Sequence, residues 1–134
     1  MRGLGVLLVL ALAAATAVAA DGPGPPRIRV DPEGFDFGRV LTGRTLRKEF
    51  RLRNLGTGDL VIERVSKSCG CTEAAVEATT LEPGESTPLV VKLSTPSRAR
   101  KVEEQVLLRS NDPRTPLLEI RLSATVEEEE EEER

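Results

Sequence analysis

The chain has no histidine, no tryptophan and no tyrosine, and its single methionine is the first residue. Without histidine it lacks the usual general base near neutral pH and the commonest metal ligand. Without tyrosine or tryptophan it has no stacking platform for bases or sugar rings, and Phe35, Phe37 and Phe50 are its only aromatic residues. Cysteine is nearly as scarce, with only Cys69 and Cys71. These absences leave no catalytic or cofactor-binding residue to assign, and the sequence reads as non-enzymatic, with no cofactor.

Long apolar runs are scarce too. One stands at Leu4 to Val18, behind a positive Arg2 and ahead of the small residues Ala17-Val18-Ala19-Ala20. That order reads as a secretory signal peptide over residues 1–20, cleaved after Ala20 or after Ala19. The run falls short of the ~18–20 residues that span a bilayer. No second run follows, so the expected mature protein is periplasmic or extracellular and not an integral membrane protein.

Charge is abundant but uneven. The chain carries 19 basic and 22 acidic residues, a net of −3, and seven consecutive glutamates occupy Glu127 to Glu133. Like charges at this density bury nothing and repel one another, so residues 127–134 are expected to form a disordered acidic tail. Without the leader and this tail, 17 basic and 15 acidic residues remain. A nearly neutral domain does not look like a nucleic-acid binder.

Between a Pro/Gly-rich linker at 21–26 and the tail lies one domain, residues 27–126, whose core must come from Leu, Val and Ile. Its apolar residues recur with period two. Leu46, Phe50 and Leu52 share one face of Thr45–Asn54 while Arg47, Glu49, Arg51 and Arg53 share the other. Leu118, Ile120, Leu122, Ala124 and Val126 align in the same way. Shorter alternating segments occur at 27–31, 35–37, 87–93 and 102–109, with a further segment at 60–66 entered through a turn, and the turns between them are rich in Gly, Pro, Asn and Asp. Glu82-Pro83-Gly84-Glu85 has the residues of a type II turn, and the stretch from 73 to 80 reads as loose. Two residues break the pattern. Lys48 falls on an apolar face, which suggests a position near a sheet end, and Glu104 interrupts the apolar face of 102–108. The expected fold is an all-β, immunoglobulin-like antiparallel sandwich of about seven strands. It lacks the distant cysteine pair and core tryptophan that pin an antibody domain.

The run FDFGRVLTGRTLRKEFRLRNLGTGDLVIERVSKSCGCTEA, followed by LEPGES and LLRSNDPRTPLLEIRLSATV, resembles the bacterial family called Domain of Unknown Function 1573. The resemblance spans residues 35–126 and includes the SCGCT signature. It implies an immunoglobulin-like sandwich similar to major sperm protein, ciliary ASH and pilus-chaperone domains, and it implies no activity. Related domains mostly bind peptides or proteins, often through a sheet edge, so a protein or peptide partner in the cell envelope is expected.

Cys69 and Cys71 admit three readings. In an extended strand their Cα atoms would lie ~6.5–7 Å apart, at the outer limit for a bridge, but Gly70 can fold the segment into a turn. The pair is then a tight structural bridge, a site of thiol exchange with a partner, or two thiolates for a soft metal such as copper(I). Tetrahedral zinc would need further ligands from carboxylates or from a partner. Arg47, Arg51 and Arg53, with Arg121 near them, form either a stripe for an anionic partner or a solvated strand face. The leading expectation is a binding or structural module of the envelope. The alternative is a thiol-redox or copper-handling protein centred on Cys69 and Cys71.

Overall fold

The computed structural model describes residues 23–129. The expected leader, residues 1–20, and the tail beyond Glu129 lie outside them. Nine strands occur among the described residues: β1 (Ile28–Asp31), β2 (Gly34–Leu41), β3 (Thr45–Asn54), β4 (Leu60–Lys67), β5 (Thr72–Val76), β6 (Thr80–Leu81), β7 (Ser86–Ser94), β8 (Arg100–Ser110) and β9 (Leu117–Glu127). They form a four-stranded sheet in the order β1-β3-β7-β5 and a five-stranded sheet in the order β2-β9-β8-β4-β6. The molecule is thus the all-β sandwich anticipated, with two departures. The segment read as loose holds β5 and β6, and β2 pairs with β9 in parallel. The parallel pair arises because the chain changes sheet at Pro32 and Glu33, between β1 and β2, and then runs beside the last strand instead of turning back on itself.

The alternation works as anticipated. Phe50, Leu52, Leu89, Val91, Leu60, Ile62, Val106, Leu108, Ile120 and Leu122 meet between the sheets as one core, and Leu93, Val102 and Val126 form a smaller cluster at one end. Each buried Leu or Ile side chain contributes about 1.5–3 kcal/mol relative to exposure. Lys48 is not at a sheet end. It lies in the middle of β3, opposite Val91, and its Nζ sits 4.3 Å from the centroid of the Phe35 ring. Phe35 in turn meets Phe37 edge-to-face, with centroids 5.0 Å apart. The quadrupole of the ring receives the ammonium, and this lets a half-buried lysine occupy an inward position.

Two buried polar side chains pin one end of the sandwich. Asn54 is fully buried. Its Oδ1 accepts from the amides of Arg27 and Gly56, and its Nδ2 donates to the carbonyls of Gly58 and Leu81. Asp112, only 3 % exposed, accepts from the amides of Ile28, Arg114 and Thr115. Part of the expected linker belongs to the fold as well. The carbonyl of Pro25 accepts from Thr57, and Gly56 and Gly58 are needed because any Cβ there would strike the backbone of residues 24–27. Neither of these glycines has positive φ. Gly84 does, at +84°, in the turn closed by the amide of Glu85 donating to Glu82. At the other terminus Glu127, the first of the seven glutamates, is the last residue of β9 and pairs with Arg39.

Candidate functional site

The turn between β4 and β5 brings together the residues singled out for chemistry. Cys69 and Cys71 are joined by a disulfide, with Cα atoms 5.2 Å apart. Gly70 at the apex is exposed and has no neighbouring atom within reach of a Cβ. Three backbone bonds hold the turn independently of the sulfurs. The amide of Ser68 donates to Gln105, that of Thr72 to Cys69, and that of Ser94 to Cys71. Cys71 also packs against the cluster of Leu93, Val102 and Val126.

Glu104 joins this turn, and its break in the apolar pattern of β8 thereby acquires a cause. It points inward beside the turn, and its Oε2 accepts the hydroxyl proton of Ser68. The Ser68 Oγ accepts in turn from the amide of Gln105 at 2.9 Å. One carboxylate oxygen and the two sulfurs lie within 4.8 Å of one another. While bridged, the sulfurs offer no thiolate, so both metal ligation and nucleophilic exchange through Cys69 and Cys71 require the bridge to be opened first.

The sheet edges differ in how they are protected, and this singles out the ground beside the turn. An antiparallel ladder points alternate backbone groups outward, and exposed edges invite pairing unless something blunts them. On β1 the outward amide of Ile28 is taken by Asp112, and prolines flank the strand on both sides at 26 and 32. On β2 the register shifts between Asp36 and Arg39, and the amide of Gly38 is taken by the Asp36 side chain. β6 is only two residues long and is followed by Pro83. On β5 only the first outward amide is taken, that of Thr72 by the carbonyl of Cys69, and no proline, register shift or side-chain cap follows it. The bonds from Ser94 to Cys71 and from Glu77 to Pro88 fix its phase, so Ala74 and Val76 direct their amides and carbonyls away from β7.

A cleft of about 550 Å³ runs along this edge, between β5 and the second half of β4. Val65, Ser66 and Lys67 line one side, and Glu73, Ala74, Ala75, Val90 and Lys92 line the other. The Cys69–Cys71 turn links the two strands that flank it. Sequence reasoning found the turn by residue type but missed the cleft. The arginines are not gathered into one site. Arg47 and Arg51 contact Glu49 and Ser86 on the sheet containing β3, whereas Arg121 lies in the other sheet, bonded to Glu119.

An immunoglobulin-like sandwich with an open edge on β5 suits a binding or structural module. The chain belongs to the family described as protein of unknown function (DUF1573), which it matches over residues 28–126. Solved structures agree on the fold. A protein of unknown function from Porphyromonas gingivalis W83 is similar at a TM-score of 0.68 and 21 % identity, over 82 % of this chain and 51 % of that one. The present chain thus spans about half the length of that relative. The ASH/PapD-like domain 7 of human CEP192 aligns at a TM-score of 0.65 and 13 % identity, over 97 % of this chain and 99 % of that one. SSP-19 of Caenorhabditis elegans, an MSP-domain-like protein, aligns at 0.55 and 14 % identity, over 72 % of this chain and 97 % of that one. No curated protein matches the sequence. Among the described residues no helix is long and apolar enough to cross a membrane.

Proposed function

We propose that this domain is an exported, non-enzymatic binding module of the cell envelope that takes up an extended segment of another protein as an added strand on β5. The observation that carries the reading is the contrast among edges. β1, β2 and β6 are each blunted by a capped amide, a proline, a register shift or extreme shortness, while Ala74 and Val76 present unpaired backbone groups beside a cleft. Strand addition takes its affinity from main-chain bonds and its selectivity from alternate side chains. It needs no histidine, aromatic platform or cofactor. Export is supported by the leader-like residues 1–20, and a reporter enzyme fused behind them tests it directly.

The binding test uses a display library of random dodecapeptides panned against the mature chain. Enriched sequences should alternate apolar and polar residues, and their binding should protect the amides of Ala74 and Val76 from hydrogen exchange. Ala74→Pro removes an amide that faces away from β7, so the ladder survives while the outward donor disappears. Binding that persists undiminished in this variant, once a thermal melt has shown it to be folded, rules out strand addition on β5.

A further inference from the structure

We infer that the segment taken up on β5 carries an acidic residue, placed to meet Lys67, two positions from an apolar residue that covers Val65. This inference rests on the strand-addition reading and specifies its ligand.

Along β4, Val65 lies opposite Leu108 and Lys67 opposite Val106. Both partners on β8 are fully buried and face the other sheet, so Val65 and Lys67 are directed to that same inner face. Yet Val65 is only half-buried and Lys67 is exposed. Sheet β1-β3-β7-β5 ends at β5 and stops short of covering them, one strand too narrow at this corner. A strand added to β5 would supply the missing width. Its inward side chains, in phase with Ala74 and Val76, would then lie over Val65 and beside Lys67.

Charge decides what those side chains can be. Lys67 takes part in no ion pair among the described residues. An apolar or basic residue laid over it would strip water from an unpaired ammonium, which the interior does not tolerate. A carboxylate laid over it forms a partly desolvated ion pair and removes that penalty. The outward positions of the added strand carry no comparable preference. Glu73 and Lys92, cross-strand partners of opposite sign on the outer face, offset each other there. The inward residue two positions along meets Val65 and gains by being apolar.

The test is fluorescence anisotropy on the full mature chain with three labelled decapeptides of alternating Thr and Val. In each, one central Val is replaced by Glu, Gln or Lys. The Glu peptide should bind about five-fold more tightly than the Gln peptide, with the Lys peptide weakest. High salt should compress the difference. Lys67→Met should abolish the preference for Glu. The exposed position of Lys67 makes this variant safe for folding, which its thermal midpoint would verify. If the peptides bind with protection of the Ala74 and Val76 amides but without charge preference, or if the preference survives Lys67→Met, the assignment of Lys67 is overturned while strand addition stands. If no peptide binds and neither amide is protected, strand addition itself falls, and this inference with it.

Discussion

The carboxylate of Asp112 accepts the backbone amide of Ile28 at 2.9 Å, tying two residues 84 positions apart and one sheet to the other. Burial raises the pKa of this group, but three backbone amides, from Ile28, Arg114 and Thr115, and the charge of Arg27 outweigh it, and the carboxyl is held below its ordinary 3.8. A carboxylate with a depressed pKa contributes stability that is present above its unfolded value and lost as pH falls through the folded value. Asp112→Asn should therefore destabilise the protein at neutral pH by about 1.5–3 kcal/mol. Urea melts at stepped pH should also show the variant losing less stability than the wild type on acidification below the ordinary carboxylate range. Equal acid dependence in both proteins would remove Asp112 from this role.

Asn54 pins the same end of the sandwich as Asp112, holding the amide of Arg27 next to that of Ile28, with four side-chain bonds instead of charge. Asn54→Ala leaves the carbonyls of Gly58 and Leu81 and the amides of Arg27 and Gly56 without their partner in a buried setting. Each orphaned group costs roughly 1–3 kcal/mol where water does not replace the side chain. The expected loss is about 3 kcal/mol or more, seen as a lower denaturant midpoint at unchanged m-value. A loss below about 1 kcal/mol would mean that water enters and satisfies the network.

These two residues also show where sequence reasoning stops. The long strands were legible in it because β3 and β9 bury most of one face and leave the other largely in water, so period two shows through despite Lys48. β5 was not legible. Its residues Thr72-Glu73-Ala74-Ala75-Val76 include two alanines of low strand preference, and the cleft leaves the inner face half covered, so no contrast develops. The parallel pairing of β2 depends on which strand it lies beside, a choice that local pattern does not encode. Asn54 and Asp112 carried the usual turn signals, which look the same whether the side chain is buried or wet. Of the candidate site, the cysteines could be read by type. The cleft could not, because it consists of what one sheet fails to cover.

Lys48 and Phe35 come from different sheets, and their contact makes a separable prediction. Lys48→Met keeps the stem and removes the charge, and Phe35→Leu removes the ring face that receives it. In a double-mutant cycle the two changes should be non-additive by about 0.5–2 kcal/mol, the range for a partly desolvated cation over an aromatic face. Additivity within about 0.3 kcal/mol would reduce the contact to mere proximity. The cycle is more informative than either variant alone, because Phe35→Leu also disturbs the edge-to-face contact with Phe37.

Cys69 and Cys71 are bridged although only two positions apart. A cross-link stabilises chiefly by restricting the unfolded chain, and closing a three-residue loop is worth at most about 1.6 kcal/mol. The folded turn has other supports, in the backbone bonds of Ser68, Thr72 and Ser94. The Cys69→Ser/Cys71→Ser variant should therefore fold, with a thermal midpoint lowered by no more than roughly 10 °C. Because β5 keeps its ladder with β7, peptide capture on Ala74 and Val76 should persist in that variant. Loss of capture with folding intact would mean that the bridge, and not the β5 edge alone, sets the width of the cleft. A stability loss well beyond 1.6 kcal/mol would point the same way, to a turn that the sulfurs hold in the folded state and do not merely restrict in the unfolded one.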